Sequence, residues 1–277
     1  MTAEVDVLSQ PVLLDRLESG VLTLTLNRPE RLNAFNAALI EALSAAVKRA
    51  GTEPECRAVL ITGAGRGFCA GADLANRAFK PGEARPDLGE ALEKGINPII
   101  RAIRNLPKPV VCAVNGPAAG AGANIALACD IVLAAKSAQF LQAFVRIGLI
   151  PDAGGTFVLP RLIGEARARA LMMLAEPIGA EQAQAIGMIY RAIDDEDLMG
   201  EAHTVAERLA AGPTHALGLI KRALAASPTN NLDAQLDIER DLQREAGASD
   251  EYVEGVRAFL EKRPADFRRK QTATQQP

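Results

Sequence analysis

The 277-residue chain has no tryptophan, two tyrosines and two histidines, and each shortage closes off a class of chemistry. Single-stranded nucleic acid is gripped by aromatic side chains interleaved with basic ones, and a formal charge of -3 supplies no compensating basic field, so no nucleic acid partner is expected. His203 and His215 fall on helical stretches remote in sequence from the glycine-rich segments described below, which leaves a histidine metal site or a Ser-His-Asp triad poorly provisioned. No metal is expected. The four cysteines, Cys56, Cys69, Cys112 and Cys129, show no C-x-x-C spacing and read as reduced thiols of a cytoplasmic protein. No apolar run approaches the ~18 residues that cross a bilayer, and the first residues lack the basic-then-apolar pattern of an export signal. No membrane partner is expected.

Several nucleotide motifs are missing too. Gly63-Ala-Gly-Arg-Gly follows a strand, but position 68 is Phe, so no G-x-G-x-x-G dinucleotide turn can be read there. Neither Tyr190 nor Tyr252 is followed four residues later by lysine, as a short-chain dehydrogenase would require, and no G-x-x-x-x-G-K-[ST] or G-x-S-x-G occurs.

What the chain does have is a pair of turns built from glycine and alanine, each fed by an apolar strand. Ala58–Thr62 leads into Gly63–Leu74, and Val110–Val114 leads into Asn115–Asn124. Residues without bulk let a ligand oxygen approach backbone N–H groups, and a helix that starts just beyond adds its positive end. Two such turns together suit an oxyanion hole, and hence enolate chemistry.

The organisation around them is a repeated strand–turn–helix. Val12–Leu17 and Val21–Leu26 alternate at the strand period and predict a hairpin. Asn36 is placed to cap a helix whose apolar face is Leu39, Ile40, Leu43, Val47 and Ala50, ending at Gly51. Helix is expected from about Leu88 to Arg104 and again up to Ala128, with strands at Ile131–Ala134 and Ala138–Phe140. Beyond Gly155 strands nearly disappear, and helices are expected at Arg161–Leu174, Ala180–Ile186, Leu198–Ala211, Thr214–Ala226, Leu232–Ala246 and Tyr252–Lys262. The segment Asn76–Asp87, broken by Pro and Gly, is placed to cover a site as a mobile loop, and the polar tail Gln271–Pro277 is expected to be disordered. The whole predicts an α/β fold of parallel strands in stacked or wound layers.

The stretches NRPERLNAF (Asn27–Phe35), GFCAGADL (Gly67–Leu74), AVNGPAAGAGANIALACDIVLA (Ala113–Ala134) and GLIPDAGGT (Gly148–Thr156), in this order and spacing, resemble the enoyl-CoA hydratase/isomerase (crotonase) superfamily over about residues 12–267. The resemblance implies a spiral of ββα units over residues 1–200 carrying an acyl-CoA site. It further implies a helical region over 201–277 that makes homotrimers or dimers of trimers and touches coenzyme A. Coenzyme A enters only as part of the thioester substrate, with no separate cofactor. By the same likeness the main-chain N–H groups of Ala72 and Ala121 hold the thioester oxygen, with Gly71 and Gly120 beside them. Ala70 and Leu74 line the channel for the adenine and pantetheine, and Phe267 with Arg268, Arg269 and Lys270 touches the adenine and phosphates, often from a neighbouring subunit. Asp73 adjoins the substrate but reads from its position as an N-cap of a following helix.

Hydratases of the family use two glutamates, and the corresponding positions here are Asn124 and Phe144, neither of which can act as a base. Asp152 stands where dienoyl-CoA isomerases of the family keep a catalytic aspartate; the alternative is that it caps the helix starting near Gly155. A single carboxylate suits proton removal and return, and Phe144 suits an aromatic-derived acyl group. Within the family, these stretches together with TNNLDAQLDIERDLQREAG (Thr229–Gly247) resemble the branch that converts ring-1,2-epoxyphenylacetyl-CoA to a seven-membered oxepin in phenylacetate catabolism. Three alternatives stand beside it: a generic isomerase or hydratase of fatty enoyl-CoA chains, a non-catalytic protein that binds CoA thioesters, and a dehydrogenase, which would bind a nicotinamide cofactor.

Overall fold

A computed structural model of the chain describes residues 11–75 and 85–268. Strands β1 (Leu13–Glu18) and β2 (Val21–Leu26) form the expected hairpin, with Leu13 opposite Leu26 and Glu18 opposite Val21. Ser19 and Gly20 join them at φ 53° and 81°, the paired positive values of the tight turn that matches strand twist. Asn36 caps α1 (Ala37–Thr52), its side chain accepting the Leu39 N–H at 2.9 Å, and of the predicted apolar face Leu39, Leu43, Val47 and Ala50 are buried and Ile40 is half-buried.

Next come β3 (Ala58–Gly63), α2 (Leu88–Lys94), α3 (Ile96–Asn105), β4 (Val110–Val114), β5 (Ala118–Ala119), α4 (Ala121–Ala128), β6 (Ile131–Ala135) and β7 (Gln139–Leu141). The later elements are α5 (Gly155–Ile163), α6 (Glu165–Leu174), β8 (Ile178–Gly179), α7 (Ala180–Ala185), β9 (Arg191–Ile193), α8 (Leu198–Ala211), α9 (Thr214–Ala226), α10 (Leu232–Gly247) and α11 (Asp250–Glu261). The main sheet runs β1-β2-β3-β4-β6-β9, parallel from β2 onward, and β5-β7-β8 make a small second sheet. β3 and β4 are buried along their whole length, as parallel strands covered on both faces must be.

Three expectations need correction. The helix foreseen from Leu88 to Arg104 is two helices, because Gly95 leaves the helical region at φ -105°, ψ -90°. Arg161–Leu174 likewise divides at Gly164 (φ 80°), and its first half starts back at Gly155, with Pro160 inside the helix rather than before it. Strands also persist past Gly155: β9 pairs with β6 and closes one edge of the main sheet.

A boundary at residue 200 falls within α8. That helix lies across β2, β3, β4 and β6, and its fully buried Ala202, Ala206 and Ala210 let it sit close. The tail Gln271–Pro277 and residues 76–84 of the expected loop lie outside the described residues. No described helix is long and apolar enough to cross a membrane, and no cluster of His, Cys, Asp or Glu among the described residues could hold a metal ion.

Candidate active site

β3 and β4 are parallel neighbours, so both release their turns at the same end of the sheet, where open α/β folds build crevices. The two turns then interlock. Phe68 and Cys69 donate their N–H groups to the Pro117 carbonyl at 3.1 and 3.2 Å, and Ala119 donates to the Cys69 carbonyl at 2.9 Å. The packing explains the small residues: a Cβ on Gly122 would lie 2.3 Å from the Cys69 carbonyl oxygen, and one on Gly116 only 2.2 Å from that of Arg66. Burial pushes the Cys69 thiol up to about 12, so it stays neutral, and it donates to the Asn33 carbonyl at 3.1 Å.

Two asparagines lace the turns together. Asn33, fully buried at φ 56°, donates through Nδ2 to the carbonyls of Ala64 (2.9 Å) and Gly67 (2.8 Å) and accepts the Arg28 N–H at 2.8 Å. Asn115 accepts the Gly63 N–H at 3.2 Å and donates to the Gly65 carbonyl at 2.9 Å. Neither stood out in the sequence: Asn115, beside Gly116 and Pro117, reads as an ordinary turn former, and Asn33, between Leu32 and Ala34, carries no local signal.

Ala72 is held from both sides. Phe35 donates its N–H to the Gly71 carbonyl at 2.7 Å and accepts the Asp73 N–H at 2.9 Å, which leaves the Ala72 N–H between these two bonds. Gly71 is at φ 90°, and a Cβ there would lie 2.8 Å from the Ala119 carbonyl oxygen. Ala121 opens α4, where helix geometry provides no acceptor for the first N–H groups. Among the described residues, neither the Ala72 nor the Ala121 N–H donates to a protein group.

Asp73 caps no helix among the described residues. Its carboxylate instead pairs with the Arg28 guanidinium at 2.9 Å and accepts the Ala75 N–H at 3.2 Å. Arg28 holds the carboxyl below the usual carboxylate range, and it also donates to the Ala34 carbonyl.

A cavity of about 330 Å³ gathers Ala72, Ala121 and Asp152 on one wall system, closed by apolar residues such as Phe35, Ile40, Leu92 and Ile96. Asp152 sits on a segment bent by positive φ at Ala153 (50°) and Gly154 (76°). Gly154, which has no side chain, occupies the N-cap position of α5, so Asp152 is not the N-cap residue of that helix. The Asp152 carbonyl accepts from the Gly155 N–H at 2.9 Å and from Asn124 Nδ2 at 2.8 Å.

The other expected site residues fall one layer back or elsewhere. Asn124 is buried behind the cavity lining, held between Asp152 and Gln142. Phe144 is buried with its ring edge facing Gly120, which has φ 53° and donates to the Leu141 carbonyl at 2.8 Å; Phe144 does not line the cavity, which corrects the expectation of a pocket-lining ring. Ala70 is half-buried and Leu74 exposed, both outside the lining. Phe267 packs near Gly255, and Arg268 donates to the Ser19 carbonyl at 2.9 Å, which puts this pair beside the turn that opens β2, at the opposite end of the sheet within one chain. Arg269 and Lys270 lie outside the described residues.

With this geometry in hand, the sequence profile of the enoyl-CoA hydratase/isomerase family matches residues 16–270. The chain is 53% identical over 255 residues to the 1,2-epoxyphenylacetyl-CoA isomerase of Escherichia coli K12, covering 92% of this chain and 97% of that protein. A probable enoyl-CoA hydratase of Rhodobacter capsulatus is 49% identical, with 91% and 95% covered. Among solved structures, an enoyl-CoA hydratase from Bacillus anthracis superposes with a TM-score of 0.87 at 32% identity, covering 92% of this chain and 98% of that one.

Proposed function

The chain belongs to the enoyl-CoA hydratase/isomerase family, and from that premise we propose that it is an acyl-CoA isomerase that converts ring-1,2-epoxyphenylacetyl-CoA to its oxepin isomer. The observation that carries the reading is that Ala72, Ala121 and Asp152 line one cavity. In this reading the Asp152 carboxylate takes the acidic α-proton of the thioester, and the electron pair moves into the carbonyl as an enolate. The Ala72 and Ala121 N–H groups donate to the developing oxyanion, each such donor being worth roughly 3–4 kcal/mol of transition-state stabilisation. Return of the proton to the γ-carbon shifts the double bond, so no atom is gained or lost and a single base serves both steps. Ring expansion breaks the ring C–C bond that the epoxide oxygen bridges while the ring π-electrons shift, so epoxide and oxepin share one atomic composition.

Hydration is disfavoured because water activation in this family relies on carboxylates at the positions of Asn124 and Phe144. The 53% identity to the Escherichia coli isomerase supports the aromatic-derived acyl group, and with it phenylacetate catabolism. The reaction calls for no metal and no cofactor beyond the coenzyme A carried by the substrate. A cytoplasmic setting is supported by four buried, unpaired cysteines. A homotrimer or dimer of trimers is supported by apolar residues left on the C-terminal helices, with Phe259 82% and Leu260 73% exposed. Coenzyme A contacts by Phe267 and Lys270 then come from a neighbouring subunit.

The test is turnover of epoxyphenylacetyl-CoA, generated in situ, by wild type and Asp152→Asn, with crotonyl-CoA hydration run beside it. Oxepin formation should fall by about 10²–10⁴ in the variant, with negligible hydration in either protein. Hydration that survives Asp152→Asn would return the chain to the hydratase reading.

A further inference from the structure

A buried chain of two amides runs behind the cavity. Gln142 Nε2 donates to Asn124 Oδ1 at 2.8 Å, and Asn124 Nδ2 donates to the Asp152 main-chain carbonyl at 2.8 Å. Its polarity is forced: a carbonyl can only accept, so Asn124 must present its NH₂ group to Asp152 and its oxygen to Gln142. Asn124 and Gln142 are 1% and 3% exposed, so neither bond is diluted by solvent. Asn124 lies one turn along α4 from Ala121, on the same helix face. One side chain therefore links the helix that presents Ala121 to the segment that carries Asp152.

Two further observations show that the link is built rather than incidental. A Cβ on Gly155 would fall 2.3 Å from Asn124 Nδ2, so α5 starts with the one residue that lets the amide through. Gln142 Oε1 is buried with no hydrogen-bond donor among the described residues, an arrangement that costs stability.

We propose that Asn124, oriented by Gln142, is a positioning residue that sets the Asp152 carboxylate relative to the Ala121 N–H, and does so without adding a second charge beside the base. The proposal rests on the assignment of Asp152 as the base. The position that family hydratases give to a catalytic glutamate is thereby turned to a different use. Among the described residues, the Asn124 amide bonds Gln142 and the Asp152 carbonyl and lies against Gly155, and of these three residues Asp152 is the one that titrates.

The test follows oxepin formation from epoxyphenylacetyl-CoA against pH for full-length Asn124→Ala, Asn124→Asp, Gln142→Met and Asp152→Asn, with thermal unfolding of each. Asn124→Ala should lower kcat about tenfold or more, with KM within about twofold. Gln142→Met removes one unmet acceptor but leaves Asn124 Oδ1 without its donor, so its Tm should change little while kcat falls about threefold or more. Asn124→Asp keeps the shape. Burial and the Asp152 charge both raise the pKa of the new acid, and while protonated its O–H can donate to the Asp152 carbonyl as the amide did. Ionised, it cannot. The kcat of that variant should therefore decline with rising pH along a limb absent from wild type and from Asn124→Ala.

Wild-type kcat and pH profile in the Asn124 and Gln142 variants, beside an inactive Asp152→Asn, would overturn the positioning role and leave the base in place. Losses that merely track the folded fraction would overturn it too. An active Asp152→Asn would overturn the base, and the positioning role with it.

Discussion

The two glycine-rich turns present the same group by different means. Ala121 leads a helix that is buried throughout, so its N–H is aimed by α4 itself and backed by the helix dipole. Ala72 is exposed on an irregular segment and depends on Phe35, on Asn33 beneath it and on the Arg28–Asp73 pair beside it. One donor is aimed by regular secondary structure and the other by a clamp of side chains. The second should respond to charge and pH where the first does not.

Breaking the packing between the turns should have the largest effect. Gly122→Ala sets a Cβ 2.3 Å from the Cys69 carbonyl, a backbone atom that cannot swing aside, and should destabilise the protein by about 1–3 kcal/mol in urea titration while also lowering turnover. Breaking only the clamp should leave the helix-borne donor alone. Asp73→Asn is expected to cut kcat about tenfold, less than the 10²–10³ lost when an oxyanion donor is removed outright, with both values read from initial rates.

The clamp can also be opened by acid. Arg28 depresses the folded pKa of Asp73, so its stabilising contribution is present above the unfolded value of about 3.9 and is lost as pH falls through the lower folded value. Amide hydrogen exchange should then quicken for residues around Ala72 below that range before it does for α4. The smallest effect serves as the control: Asn36→Ala removes the cap of α1 and should cost about 1 kcal/mol in thermal or urea unfolding, with kcat unchanged.

The contrast between the turns also explains what could be read from the chain. The cap at Asn36 and the helices Leu198–Ala211 and Thr214–Ala226 were legible to the residue, because each rests on local patterning. The breaks at Gly95 and Gly164 were not, since an isolated glycine inside an apolar helical pattern signals a stop only once tertiary contacts choose it. At the site, Ala72, Ala121 and Asp152 were visible through their motifs and meet in one cavity. Asn33, Asn115 and Gln142 were hidden, because a polar residue that serves by binding distant backbone leaves no periodic trace. Phe144 and Phe267 were named from motifs, but where their rings lie depends on packing between segments far apart in sequence.

Proton removal by Asp152 is the central claim, and deuterium uptake reads it without the ring chemistry. Phenylacetyl-CoA would be incubated in D₂O with wild type and with Asp152→Asn, and α-carbon exchange followed by mass spectrometry. Enzyme-dependent exchange is expected in wild type, slowed by about 10²–10⁴ in the variant. Exchange at the wild-type rate in Asp152→Asn would contradict the claim.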